Sequence, residues 1–83
     1  MVYRSLGMRI QQAREELGLT QQELASRLGL TQAALSNYEL GKRRLYLANL
    51  EQIASTLGKP LSYFTESASD EDDIQNWARY PYR

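Results

Sequence analysis

The sequence contains no cysteine and no histidine among its 83 residues. Without cysteine there is neither a disulfide framework nor a thiol nucleophile. Without histidine the chain lacks the commonest metal ligand, the commonest general base and a side chain that changes charge near neutral pH. We therefore expect no enzyme, no cofactor and no metal ion. A carboxylate-only active site is the remaining catalytic alternative, and no residue pattern points to one.

Long apolar runs are also missing. No stretch approaches the roughly 20 consecutive apolar residues that a membrane-spanning helix needs. The N-terminal stretch "MVYRSLGMRIQQAREELG" carries charges among its apolar residues, which is not the pattern of a secretory signal. We expect a cytoplasmic protein.

Charge is balanced overall but divided unevenly along the chain. Ten Lys and Arg face ten Asp and Glu. Residues 1–64 hold eight of the basic and five of the acidic residues, whereas residues 65–83 hold two and five. This division predicts a modestly basic domain over residues 1–64 and an acidic, aromatic-ended tail over residues 65–83.

Apolar residues recur at helical spacing through residues 1–64, and no stretch alternates as a half-buried strand does. The pattern predicts an all-α domain of five helices. The first is expected to start after Ser5 and to bury Leu6, Ile10, Ala13 and Leu17 on one face.

The tetrapeptide "GLTQ" occurs twice, at residues 18–21 and 29–32. In each copy the glycine is suited to end one helix and the threonine to cap the next. Glu23 stands three residues after the first threonine and completes a capping box, but Ala34 takes that position after the second. The copies therefore predict the starts of the second and third helices.

The remaining helices are bounded by similar signals. Gly41 ends the third helix, Gly58 ends the fourth, and Pro60 suits the start of a short fifth. The fourth helix has no obvious side-chain cap unless Asn49 starts it later. Several apolar residues near these ends fit either a subunit contact or plain core packing: Leu45, Tyr46, Leu47, Leu61 and Tyr63.

Two short helices joined at Gly29 within a five-helix body suggest a helix-turn-helix. The run "RIQQAREELGLTQQELASRLGLTQAALSNYELGKR", followed by "LEQIASTLGKPLSYF", resembles the Cro/C1-type, or xenobiotic-response-element-like, family of helix-turn-helix DNA-binding regulators. The resemblance covers nearly all of residues 1–64 and none of the tail. It implies a lambda-repressor-like fold with helices two and three as the helix-turn-helix, in a bacterial or phage-encoded protein associated with the nucleoid when bound.

The resemblance implies that one polar face of the third helix meets base edges in the major groove. Glutamine can contact adenine bidentately, and a small apolar group can touch a thymine methyl. A solvated helix face is the alternative interpretation. The implied base-contacting residues are Gln32, Ala33, Ser36 and Asn37.

Phosphate contacts are implied at two places. Gln21 heads the second helix, where exposed N–H groups favour anions, and it can also brace Gln32. Lys42, Arg43 and Arg44 follow the third helix and are expected to supply salt-dependent affinity. The alternative for these three is an ordinary solvated loop.

Two further expectations concern charge. The resemblance implies that Arg14 and Glu39 pair between the first and third helices, rather than being unrelated surface charges. A glutamate in place of Ala34 would bring an anion close to the DNA backbone, so we expect that substitution to weaken DNA binding more than stability.

The leading hypothesis is a transcriptional regulator, most simply a repressor, that binds a two-fold symmetric operator as a homodimer. The size of the chain suits a phage-type repressor or a restriction-modification controller. The alternative is an antitoxin or a partner-controlled DNA-binding protein whose tail binds another protein through Trp77, Tyr80 and Tyr82. Residues 70–73 are acidic but lack the glycine of a calcium loop, so a metal site there is disfavoured.

Overall fold

The computed structural model describes residues 2–66, which form five α-helices and no strand. The helices are α1 (Val2–Glu16), α2 (Gln21–Leu28), α3 (Gln32–Leu40), α4 (Leu47–Leu57) and α5 (Leu61–Thr65). The all-α, five-helix prediction is thereby confirmed. α5 includes one residue beyond the predicted domain boundary at 64, and the predictions about the tail from residue 67 onward lie outside the described residues. In the described part of the chain, no helix is both long and apolar enough to cross a membrane.

One hydrophobic core joins the five helices. α1 packs against α3, α4 and α5, while α2 packs against α3 and α4. Burial of large apolar side chains supplies most of the favourable free energy of folding of such a small domain. The largest fully buried side chains are Phe64, Leu6, Ile10, Leu24, Leu35, Leu45 and Leu50.

The start of α2 has the capping box that the sequence predicts. The Thr20 hydroxyl accepts a hydrogen bond from the Glu23 N–H at 3.1 Å, and the Glu23 carboxylate accepts one from the Thr20 N–H at 2.8 Å. The helix ends at Gly29, whose φ of 70° is left-handed and therefore favours glycine. Both ends of α2 are thus defined by neighbouring residues.

Replacing Glu23 with glutamine is expected to reduce the dependence of stability on pH. Hydrogen bonds from the backbone and side chain of Thr20 lower the pKa of Glu23 from its ordinary value of 4.5. A lowered folded-state pKa contributes stability above about pH 4.5, and that contribution is lost as pH falls through the folded value. Urea unfolding between pH 3 and 7 measures the difference. Glu51→Gln, on the exposed face of α4, is the control; an equal pH dependence for both variants would contradict the expectation.

The start of α3 departs from the expectation about Ala34. Thr31 caps the helix by accepting a hydrogen bond from the Ala34 N–H at 3.1 Å. The Ala34 side chain, however, is buried, with 9% of the residue exposed. Burial therefore accounts for a small residue at this position without reference to DNA.

Replacing Ala34 with glutamate is accordingly expected to destabilise the domain, contrary to the expectation from the sequence. A buried carboxylate without a partner costs several kcal/mol, unless it is protonated or the helix shifts to expose it. We expect a loss of about 2 kcal/mol or more, measured by urea unfolding. Ala33→Glu, on the exposed side of the same turn, provides the control and should stay close to the parent stability.

Two other expectations need correction, on the start of α1 and on Leu17, and the alternative left open for Leu45 is decided. α1 starts at Val2 rather than after Ser5, because Val2 and Tyr3 pack against the core and extend the helix by a turn. Leu17 is 52% exposed, because α1 ends before it and the chain turns away. Leu45 is 1% exposed and belongs to the core, so it is not available for a subunit contact.

The start of α4 uses Asn49 in a different way from the one expected. Tyr46 is the cap residue, and the Asn49 side-chain oxygen accepts a hydrogen bond from the Tyr46 N–H at 3.1 Å. Asn49 therefore satisfies the start of the helix from inside its first turn, and it does not begin the helix later.

Candidate nucleic-acid interface

α2 and α3 pack against each other across the turn at Gly29. The Leu30 N–H donates to the Ala25 carbonyl at 2.8 Å, which closes the end of α2. Ala25 is only 1% exposed, and a small side chain there permits close approach of the two helices. This pair holds α3 on the outside of the domain with one face free.

The two faces of α3 differ sharply. Leu35, Tyr38 and Glu39 are buried toward the other helices. Gln32, Ala33 and Asn37 are exposed, and Ser36 is half-buried beside them. No hydrogen bond involves the side chains of Gln32, Ser36 or Asn37 within residues 2–66. The structure thus places the four candidate base-contacting residues on one surface, with the polar side-chain groups of Gln32, Ser36 and Asn37 uncommitted within residues 2–66.

Beneath this surface lies a buried ion pair between α1 and α3. Arg14 Nε donates to Glu39 Oε2 at 2.7 Å, and Arg14 Nη2 donates to Glu39 Oε1 at 3.1 Å. Arg14 Nη1 also donates to the Leu19 carbonyl at 2.8 Å. Hydrogen bonding to Glu39 raises the pKa of Arg14 from its ordinary value. The two charges are therefore compensated although the residues are only 8% and 3% exposed.

Gln21 adds the start of α2 to the same network. Its Nε2 donates to Glu39 Oε1 at 2.9 Å, so one carboxylate holds side chains from α1 and α2. Within the described residues Gln21 makes no hydrogen bond to Gln32, so the structure does not show the bracing that the sequence suggested. Glutamine has two amide protons and an oxygen, which leaves one proton and the oxygen for another partner.

The sequence did not predict the contacts of Glu39 with Gln21 and of Arg14 with the Leu19 carbonyl. Gln21 and Glu39 are 18 positions apart, and no local spacing rule relates residues at that separation. One signal was available in the sequence. A charged residue on the buried face of a helix needs hydrogen-bond partners, because burying an unpaired charge is unfavourable.

The basic residues after α3 lie on the surface beside aromatic rings. Lys42, Arg43 and Arg44 are all exposed. The Arg43 guanidinium carbon is 5.2 Å from the centre of the Tyr38 ring, and that of Arg44 is 5.9 Å from the Tyr46 ring. Hydrogen bonding to Tyr46 raises the pKa of Arg44. Stacking on rings limits the freedom of both arginines while leaving their charges accessible.

Comparisons with known proteins agree with this geometry. Residues 10–64, well over half of the chain, match a helix-turn-helix family model. A restriction-modification controller protein, C.AhdI from Aeromonas hydrophila, is 27% identical, with 75% of this chain and 90% of that chain covered and a TM-score of 0.70. A comparison with curated proteins found no match.

Two more distant structures share the fold. The clp gene regulator ClgR from Corynebacterium glutamicum is 22% identical, with 92% of this chain and 81% of that chain covered and a TM-score of 0.78. The hypothetical transcription factor NHTF from Neisseria is also 22% identical, with coverage of 92% and 85% and a TM-score of 0.74. The family match over residues 10–64 shows which family the chain belongs to, and the exposed polar face of α3 agrees with it. The chain belongs to the Cro/C1-type helix-turn-helix family and is a DNA-binding transcription regulator, not an enzyme.

Proposed function

We propose that α3 enters the major groove and reads bases through Gln32, Ala33, Ser36 and Asn37. The observation that carries this proposal is the contrast between the faces of α3. Within residues 2–66 the side chains of Gln32, Ser36 and Asn37 make no hydrogen bond, while the opposite face is committed to the core. Unpaired amide and hydroxyl groups can exchange water for base-edge donors and acceptors at little cost.

In the same orientation of α3, phosphates of the DNA backbone would be contacted by Gln21, Lys42, Arg43 and Arg44. Gln21 stands at the first position of α2, where backbone N–H groups lack helical partners. Its side chain is oriented by Glu39 and keeps one amide proton for a phosphate oxygen. The three basic residues supply the charge that releases counterions from DNA.

The protein is proposed to bind as a homodimer on a two-fold symmetric operator and to repress transcription by occupying it. Half-sites would lie one helical turn, about 10 bp, apart. One α3 presents only four candidate reading residues, and two copies double the sequence information. The candidates for a subunit contact are half-buried: Leu47, Leu61 and Tyr63, which also pack in part against the core, and Tyr46, which also interacts within the chain.

Selection of bound duplexes from a random DNA pool tests the proposal. The expected result is a two-fold symmetric motif bound by two chains, with affinity that falls as salt rises. Sedimentation with and without the selected duplex gives the number of chains. A pool that shows no sequence preference after repeated selection would defeat sequence-specific regulation, and an asymmetric motif bound by one chain would defeat the dimer.

Replacing Gln32 with alanine is expected to relax the preference at one base pair of each half-site. Loss of a bidentate base contact costs about 1–3 kcal/mol of discrimination. Binding to the selected duplex and to variants with each single base pair changed measures the effect. Gln52→Ala, on the exposed side of α4, is the matched control. Unchanged discrimination at every position by the Gln32 variant would show that the reading face is assigned wrongly.

A further inference from the structure

The first turn of α1 lies directly against the end of α3. Gly41 caps α3 with a φ of 75°, and a side chain built on it would come within 2.7 Å of the Arg4 Cα and 2.9 Å of the Arg4 nitrogen. The two backbones therefore touch at this point. Tyr3, the preceding residue, contributes with Tyr46 to the raised pKa of Arg44. The close approach of the Gly41 and Arg4 backbones thus places the start of α1 beside the basic connector after α3, and the electrostatic interaction of Tyr3 with Arg44 agrees with it.

Within the described residues, Arg4 has no charged partner. It is exposed and makes no ion pair or hydrogen bond among residues 2–66. Three exposed cations follow its neighbour Gly41 in the chain, at positions 42, 43 and 44. Glu39 is the acidic residue nearest in sequence to these three cations, but it is buried and already bound to Arg14. The two adjoining segments therefore form a surface of four cations, here called the α1–α3 basic surface: Arg4, Lys42, Arg43 and Arg44.

The length of α3 indicates where this surface meets DNA. Nine residues at about 1.5 Å each make a helix of roughly 13 Å, close to the roughly 12 Å width of the major groove. When the N-terminal part of α3 meets base edges, its C-terminal end reaches the edge of the groove, where the phosphates of one strand lie. Arg4 touches the residue that ends α3, so it is carried to the same strand.

We propose that Arg4 is a phosphate-binding residue that completes the α1–α3 basic surface. This inference rests on the proposed orientation of α3 and adds a contact from a helix outside the helix-turn-helix. Arg4 is part of helix α1. Its contact with a phosphate therefore does not require a loop to become ordered on binding. It adds affinity that does not depend on sequence.

Replacing Arg4 with glutamine tests the proposal in the full-length chain. Glutamine keeps much of the aliphatic stem but removes the charge. Each phosphate contact contributes about 0.9 to the slope of log affinity against log salt, so the slope is expected to decrease by about 0.9 per bound chain. At about 0.1 M salt this corresponds to roughly fivefold to tenfold weaker binding per chain. The loss should be equal for the selected duplex and for unrelated duplexes.

Two further variants separate the outcomes. Arg9→Gln removes the same charge from α1, but Arg9 lies beside α5, with its guanidinium carbon 4.8 Å from the centre of the Tyr63 ring, rather than beside the end of α3, and the wild-type slope is expected. Arg4→Lys should restore most of the slope. The proposal is overturned if Arg4→Gln keeps the wild-type slope, or if Arg9→Gln reduces it equally. If the wild-type chain shows no salt-dependent binding to any duplex, the proposed function itself fails and the inference fails with it.

Discussion

Replacing Glu39 with alanine is expected to lower the free energy of unfolding by about 3–5 kcal/mol. The substitution leaves the Arg14 guanidinium in a site where the residue is 8% exposed, without the carboxylate that accepts two of its hydrogen bonds. It also removes the acceptor of the Gln21 side chain. A buried charge without a partner loses its hydration and gains little in return, which is why breaking a buried pair costs more than the pair contributes.

Urea unfolding at a fixed protein concentration measures this loss, since dimerisation would otherwise alter the apparent stability. Glu16→Ala is the matched control, because Glu16 pairs with Lys59 at 3.0 Å with 58% of its side chain exposed. Exposed pairs contribute about 0.2–1 kcal/mol. A double variant, Arg14→Met with Glu39→Leu, is expected to recover much of the stability by removing both charges. Equal losses for Glu39→Ala and Glu16→Ala would contradict a buried, energetically coupled pair.

Replacing Gly7 with alanine is expected to destabilise the domain by about 2 kcal/mol or more, although the same change within an exposed helix stabilises it by about 1 kcal/mol. Gly7 is buried in α1 where that helix crosses α3. A Cβ there would overlap the carbonyl oxygen of Tyr38 and lie 2.5 Å from that of Glu39. Backbone atoms cannot rotate away as a side chain can, so the two helices must separate.

The Gly7 variant should also weaken DNA binding in the fraction that remains folded, because separation of α1 from α3 shifts the reading face. Thermal unfolding together with duplex binding measures both effects. Gly58→Ala is the control: it has open space around the added methyl group but a φ of 69°, so only the backbone cost of about 1 kcal/mol applies. A Gly7→Ala protein as stable as its parent would show that α1 and α3 are not in close backbone contact.

Local signals in the sequence were sufficient for the secondary structure of the helix-turn-helix. The hydrogen bonds that cap α2 and α3 join residues three positions apart, so Thr20, Glu23 and Thr31 determine them within one turn. The sequence holds no comparable capping signal at the start of α1. It extends to Val2 because Val2 and Tyr3 meet the core, and only folded neighbours provide that contact.

The candidate site was partly predictable for the same reason. Helical periodicity separates Leu35 and Tyr38 from Gln32 and Asn37, so the exposed face of α3 follows from spacing alone. Periodicity did not place Ala34, which lies between the two faces and whose burial depends on how closely the neighbouring helices approach. Its burial favours a packing role over the role near DNA that the sequence suggested, and duplex binding by the Ala34→Glu variant tests the latter.

The sequence by itself therefore determined the helix boundaries of the helix-turn-helix, its turn at Gly29, and the polar face that α3 exposes, because these depend on hydrogen bonds and periodicity within about four residues. Only the tertiary structure decided which distant groups meet. It joined Gln21 to the pair of Arg14 and Glu39, and it brought Arg4 to the end of α3. Contacts across 18 to 37 positions depend on how the packed core orients whole helices, and no local rule of spacing encodes that orientation.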